Sequence, residues 1–415
     1  MSRKLRIAFL TPEYVTEPYF DGGLGQYLHC TAAALAIMGH DVHVITLSQT
    51  EETSFVHDGV QVHRVRLKGG WQTLNQLTRY RLPTTTHWLN LSTQIYRRLR
   101  RLHADEAFDV VQSPNYSFCG LFSMLLLRVP QVLRISSVEP YFHDSLKEQT
   151  LDFKFLKALE WLQLRRSANI FSPSLVTQQI LTKKYSGLTI DVIRKPIHVE
   201  TSKNDYRIYD RFLRGRQYLL FFGRFTRRKG FEILVQSLAH VLDEQKDLSA
   251  VLVGRDVTTS ATPSMAEYAH EVCGKFAERF IVLEQLPHQQ LYPIITNAKL
   301  VVLPSIEDNL PNTCLEAMAL ARPVIGTYET SLSELITDEE TGFLVAANDV
   351  EALTRKILYA WDHPRLQEIG VAAQTKVLKF SVEEATSKLL HYYQRVIELE
   401  ARNPSQQPLS SLPAS

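Results

Sequence analysis

The sequence predicts an α/β protein made of two doubly wound parallel-sheet, Rossmann-like domains facing a cleft. Three observations carry that expectation. Short apolar runs without inside–outside alternation recur along the chain, as strands buried on both faces require. Helix-forming segments separate them, as crossover connections between parallel strands demand. At 415 residues, 45% apolar and 22% charged, the chain can bury two cores of roughly 200 residues each.

In the first half the apolar runs place strands at Ile7–Thr11, Val42–Leu47, Val60–Leu67, Val110–Ser113, Gln131–Ser136 and Ile170–Ser172. Between the first two, DGGLGQYLHCTAAALAIMG reads as a glycine turn and a helix starting near Leu24. Phe118–Val129 is an apolar run of 12 residues interrupted by Gly120 and Ser123, which suits a buried helix and is too short to span a membrane. The second half adds strands at Tyr218–Gly223, Ser249–Gly254, Phe280–Leu283, Lys299–Pro304 and Pro323–Gly326. The polar stretch HVETSKNDYR before the first of these marks the division, giving domains over 1–200 and 201–380. Ser381-Val-Glu-Glu384 is a capping box opening a helix over 381–400, and the Pro- and Ser-rich 401–415 reads as a disordered tail.

The most informative segment is FFGRFTRRKG, Phe221–Gly230, where a strand ends in Gly223-Arg224 and Lys229-Gly230 follow at the start of a helix. An arginine fork, a lysine point charge and the N–H groups of a first helical turn together form an anion site suited to a diphosphate. Arg227 and Arg228 between them also fit a solvated basic turn. Downstream, Pro304–Gly326 joins the strand AKLVVLP to the helix LEAMALA. Asp308 and Glu316 lie at opposite ends of that loop, able to face a ligand at the strand's carboxyl end. Thr313-Cys-Leu-Glu316 fits a capping box equally well, with Glu316 bonding the cap's own N–H. In the first half, Gly22, Gly23 and Gly25 permit close approach of backbone before a helix, which serves either an anion or tight strand–helix packing.

These segments resemble the nucleotide-sugar half of family four of the retaining glycosyltransferases, which have the GT-B fold, and the resemblance covers most of the chain. In that family Gly-Arg followed by Lys-Gly grips the donor diphosphate, which implies the role for Arg224 and Lys229. A pair of acidic residues eight apart handles the donor. The later, on the ribose hydroxyls, matches Glu316; the earlier, near the transferred sugar, falls on Asp308 where Glu is usual, with Glu307 beside it. The same match brings Asn309, Leu310 and Leu315 into the donor site, and Gly22 and Gly23 match the amino-terminal glycine loop that contacts donor phosphate. It continues through Glu334 and the TGFLV segment, Thr341–Val345. Where the family's first domain has a His after the strand ending at Arg134-Ile135, this chain has Ser136-Ser137, and the nearest histidine is His143.

What the resemblance implies is retaining transfer of a hexosyl group from a nucleoside diphosphate sugar to an acceptor hydroxyl, in polysaccharide or glycolipid assembly. Arg224, Lys229 and helix N–H groups can stabilise the leaving diphosphate, so no metal and no cofactor is expected, and no Asp-x-Asp motif is present. A non-hydrolysing nucleotide-sugar epimerase of the same architecture and a non-catalytic nucleotide-sugar-binding scaffold stay open as alternatives.

Charge adds a partner. The net +2 hides an asymmetry: residues 1–196 hold 23 Lys+Arg against 16 Asp+Glu, +7, leaving −5 for the remainder. In QIYRRLRRLH, Ile95, Leu99 and Leu102 fall at helical spacing with Arg97, Arg98, Arg100 and Arg101 between them. That pattern fits an amphipathic helix resting on an anionic membrane, as it fits a helix packing its stripe on its own domain. The acceptor expected is a glycan or lipid-linked sugar, and nucleic acid is not, for want of a compact recognition motif. Cys30, Cys119, Cys273 and Cys314 are scattered without metal or disulfide spacing, and the apolar start before Thr11-Pro12 is too short for a signal peptide. A cytoplasmic protein, or one peripheral at the inner face of the membrane, is the expectation.

Overall fold

The computed structural model describes residues 3–17, 23–69, 75–136, 150–256 and 264–402. Gly22, Ser137 and His143, and all but the start of the tail, lie outside them. The chain divides into two compact units, Met1–Pro196 with Val382–Ser415, and Ile197–Ser381.

In the first unit the strands are β1 (Arg6–Thr11), β2 (Asp41–Leu47), β3 (Ser54–His57), β4 (Val60–Val65), β5 (Val110–Pro114), β6 (Gln131–Arg134), β7 (Ile170–Ser172) and β8 (Ile190–Val192). They form one sheet in the order β3-β4-β2-β1-β5-β6-β7-β8, parallel except for the β3–β4 hairpin. Both faces are covered, as the unbroken apolar runs require. Ile7 and Phe9, with Val42, Val44 and Val110, pack beneath the helix Gly23–Ile37 and beneath Leu389, Tyr393 and Val396 of the last helix, Val382–Arg402. Ala8, Leu10, Ile45 and Val111 face the other way, onto Leu91, Ile95 and Leu99 of the helix Pro83–Asp105.

That contact decides between the two readings of this helix in favour of a stripe packed on its own domain. Ile95 and Leu99 are fully buried in their own domain, so the helix has no apolar face left to lay into a bilayer, while Arg97, Arg100 and Arg101 remain exposed. A correction concerns Phe118–Val129, where the helix is only Leu121–Leu126 and follows a turn with Ser117 and Phe118 at positive φ. β3, β8 and, in the second unit, the strand Phe343–Val345 were not expected. β3 is a four-residue edge strand with alternate residues exposed, β8 carries the charged Asp191 at its centre, and Phe343–Val345 reads only as part of the TGFLV match. Expected strands over 60–67 and 131–136 end earlier, at Val65 and Arg134.

The second unit holds β9 (Gln217–Phe222), β10 (Leu248–Val253), β11 (Phe280–Leu283), β12 (Leu300–Val302), β13 (Val324–Thr327) and β14 (Phe343–Val345), all parallel, in the order β11-β10-β9-β12-β13-β14. Leu220 sits in register with Val251 on one side and Val301 on the other. The chain leaves β9 toward β10 and returns to β12 on the opposite flank. The carboxyl ends of β9 and β12 therefore bound a topological switch point, the place where open α/β sheets bind ligands.

Candidate active site

Both functional segments of the second unit emerge at that switch point. After β9, Gly223 adopts φ +138° and Arg224 follows, half-buried. The basic run then forms a single turn, Arg227–Lys229, before Gly230 at φ +66° opens the helix Phe231–Glu244 without a side-chain cap. Glycine is required at position 230 for two reasons. Its φ lies in the left-handed region, and an added Cβ would sit 1.9 Å from the carbonyl oxygen of Pro304, at the end of the neighbouring strand segment. The close approach of these two backbones brings the loop after β12 against the basic turn.

The loops are then tied together residue by residue. Ile306 N–H donates to the Arg228 carbonyl at 2.8 Å, Arg228 pairs with Glu307 at 3.2 Å, and Lys229 Nζ reaches Asp308 Oδ2 at 2.6 Å. Asp308 is fixed further by Ser305 Oγ on the same oxygen at 3.0 Å and by the Asn309 N–H on Oδ1 at 3.1 Å. Ser331 donates to the Asp308 carbonyl and accepts from the Leu310 N–H. That brace holds Leu310 at φ +52°, a conformation costing a non-glycine residue about 1–3 kcal/mol. Of the expected donor residues, Leu310 and Leu315 bury their side chains completely or nearly so. Glu307 turns to Arg228 and Asp308 to Lys229.

One of the two readings of Glu316 fails. The helix runs Asn312–Ala319 from Pro311, with no side-chain cap bond, so Thr313 lies inside it and the capping box does not form. Glu316 is 8% exposed and its Oε1 lies 3.5 Å from His288 Nε2 at the start of the helix His288–Asn297. The hydrogen bond that His288 donates to Glu316, with the charge of that carboxylate, raises the His288 pKa against the opposing effect of burial.

Sequence reasoning missed Arg228, Ser305, His288 and Ser331. Arg228 was visible but passed as part of a solvated run, and only the strand-to-strand approach at Gly230 reveals its partner. His288 and Ser331 lie in segments whose own pattern gives no sign that they converge on the acidic loop.

The first unit carries the remaining expected positions. Gly23 begins the helix Gly23–Ile37, where the Gly25 N–H already donates to Glu13 Oε1 at 3.2 Å. Ser136 donates its N–H to Asn115 Oδ1 at 2.7 Å and accepts from the buried Arg134, whose guanidinium lies 3.9 Å over the Tyr27 ring. Arg66, Lys68, Arg97, Arg98 and Arg101 line a groove of about 160 Å³ with Glu52.

Comparison with known proteins decides the family. A model described as glycosyl transferases group 1 matches residues 216–363, the second unit's sheet and its loops. A glycosyl transferase 4-like domain matches residues 22–188 in the first. The chain belongs to the group 1 glycosyltransferases. Alpha-maltose-1-phosphate synthase of Mycolicibacterium smegmatis is 25% identical over 423 residues, covering 94% of this chain and all of that protein. Among solved structures, sucrose-phosphate synthase of Thermosynechococcus elongatus superposes with a TM-score of 0.75 at 19% identity, over 96% of this chain and 100% of that one. The Anabaena protein HepE, solved in complex with UDP and glucose, gives 0.69 at 15% identity over 94% and 100%. The fold of this glycosyltransferase is GT-B, and its chemistry is glycosyl transfer. No helix among the described residues is long and apolar enough to cross a membrane.

Proposed function

We propose that this glycosyltransferase moves a hexosyl group from a nucleoside diphosphate sugar to an acceptor hydroxyl with retention at the anomeric carbon and without a metal. The observation that carries the proposal is the Lys229–Asp308 ion pair, 2.6 Å long, at the switch point between β9 and β12. An incoming diphosphate replaces Asp308 as the counter-ion of Lys229, with Arg224 and the uncapped helix start completing the anion site. Asp308, released, accepts a hydroxyl of the transferred sugar; Glu316 accepts the ribose hydroxyls. As the C1–O bond to the diphosphate breaks, the growing negative charge meets cations already in place, and the acceptor oxygen bonds C1 from the same face while its proton passes to the departing phosphate oxygen. By their printed names, a relative and a neighbour are synthases of phosphorylated sugars and another neighbour holds UDP and glucose, which favours this donor class.

The test is mass spectrometry of purified protein against UDP-, GDP- and ADP-hexoses with glycan and lipid-linked acceptors, with and without EDTA. One donor should yield nucleoside diphosphate and an α-linked product from an α-linked donor, with turnover kept in EDTA. Inverted product, or turnover lost to EDTA and restored by Mg²⁺, contradicts the mechanism; epimerised donor without acceptor assigns the protein to the epimerases instead.

The acceptor side of the proposal is a lipid-linked sugar in glycolipid or polysaccharide assembly, presented at an anionic membrane surface. The basic groove of Arg66, Lys68, Arg97, Arg98 and Arg101 supports it electrostatically, since each basic residue near an anionic bilayer contributes about 1 kcal/mol. Gln at Arg97, Arg98, Arg100 and Arg101 should abolish sedimentation with anionic liposomes at low salt while the fold persists. Equal sedimentation of both proteins removes the membrane from the account.

A further inference from the structure

A second cluster, wholly within the first unit, plays no part in the donor site. The helix Gly23–Ile37 presents His29, and the β3–β4 hairpin presents His57 and Asp58. Asp58-Gly59 is the hairpin's two-residue turn, with φ of +48° and +77°, the geometry that an Asp-Gly turn adopts between twisted strands. The turn therefore sets the carboxylate rigidly between two imidazoles. His29 Nε2 lies 2.8 Å from Asp58 Oδ2 and His57 Nδ1 lies 3.7 Å from the same oxygen, and the three donor atoms fall within 4.8 Å of one another. The ring centroids of His29 and His57 are 5.4 Å apart, and Tyr14 meets both rings edge-on.

Two polar atoms here are unaccounted for. His57 Nδ1 is buried without a hydrogen-bond partner among the described residues, and so is the Tyr14 hydroxyl. Burial first, then the charge of Asp58, raises the Tyr14 pKa, so the phenol stays neutral. A lone imidazole nitrogen shielded from water and turned toward a carboxylate oxygen is poorly used by hydrogen bonding alone. It is well used by a cation.

We propose that His29, His57 and Asp58 bind a first-row transition-metal cation of the zinc type, through two imidazole nitrogens and one carboxylate oxygen, with a fourth position left to water. Tetrahedral Zn²⁺ with bonds of about 2.0–2.2 Å spaces its ligands about 3.3–3.6 Å apart, between the two separations present, so small side-chain rotations suffice. The ion would pin the helix that follows the glycine loop to the β3–β4 edge, and would stabilise the fold by mass action without entering the transfer reaction.

The test uses tag-free full-length protein, stripped with EDTA and desalted. Zinc chloride is titrated by calorimetry and by thermal melt, and Co²⁺ is added to read the intense visible bands of a four-coordinate site. Wild type should bind one Zn²⁺ with a rise in melting temperature. His29→Gln and His57→Gln should each weaken binding at least tenfold and lose the cobalt bands, while metal-free melting and donor turnover stay near wild type. Cys30→Ser should keep the binding, since the thiol is outside the ligand set. No stoichiometric Zn²⁺ uptake by wild type up to about 100 μM, or unchanged uptake by the His29→Gln/His57→Gln double variant, overturns the proposal. If the histidine variants fail to fold, Asp58→Asn in the exposed turn gives the same reading.

Discussion

The two sheets of this glycosyltransferase share a core strand order, β4-β2-β1-β5-β6-β7 against β11-β10-β9-β12-β13-β14, but load their switch points differently. In the first unit the crevice lies between the ends of β1 and β5, and in the second between those of β9 and β12. Each is followed by a glycine-bearing segment and a helix start. In the first, Glu13 already supplies a carboxylate to the Gly25 N–H, and Asn115 accepts from the Ser136 N–H. In the second, the helix start at Gly230 has no side-chain cap and its neighbour Lys229 holds a carboxylate from another loop. A parallel sheet thus provides two possible anion sites, and side chains decide which is spoken for. The first site's anion is built into the chain nearby in sequence; the second's comes from a separate strand-end loop, and it is the one that the proposed diphosphate displaces.

The largest effect should come from removing the cation that the proposed diphosphate takes over from Asp308. Lys229→Ala should lose about 2–4 kcal/mol of transition-state stabilisation, a drop in kcat/KM of roughly 30- to 1000-fold, as for loss of one donor to a developing anion. Turnover within twofold of wild type would make the two switch points equivalent and remove the lysine from the mechanism. A smaller but structural effect is expected at Gly230→Ala, where both the left-handed backbone and the Pro304 carbonyl oppose a Cβ. Loss of at least about 1 kcal/mol of stability should accompany loss of donor binding, because the same approach carries Lys229 to Asp308; an unchanged melting temperature would show that the two loops are not tied as described.

The pH dependence sharpens the comparison further. Glu316 raises the His288 pKa, so the pair adds stability that is fully present below the ordinary histidine value near 6.5 and is lost as pH rises through the raised folded value. Melts of wild type and His288→Gln should therefore differ most near pH 6 and converge in alkali. A difference that grows with pH would contradict the pairing.

Much of this was legible in the sequence, for definite reasons. Strands buried on both faces read as uninterrupted apolar runs, so β1, β2, β5, β9 and β10 stand out, and the glycines and charges after β9 and β12 mark loops at strand ends. Edge strand β3 escaped because half its residues face water, and β8 because Asp191 interrupts its apolar run; β14 reads only as part of the TGFLV match. The residues that convert a charged loop into a site were the least legible. Arg228 looks like a solvated cation until Gly230 brings Pro304 against it, and His288 and Ser331 reach the acidic loop only through the parallel stacking of β11, β12 and β13. The capping box at Thr313 failed for a local reason. Pro311 starts the helix two residues earlier, which turns Glu316 from a cap partner into a buried carboxylate facing His288.

The most direct measurement of the central claim compares nucleoside with nucleoside diphosphate binding, using the base that the donor screen selects, in wild type, Lys229→Ala and Glu13→Gln. If the diphosphate sits where Lys229 now holds Asp308, the phosphates should strengthen binding to wild type and to Glu13→Gln alike, and most of that preference should vanish in Lys229→Ala. A preference kept by Lys229→Ala and lost or altered in Glu13→Gln would place the anion at the first unit's switch point and contradict the account.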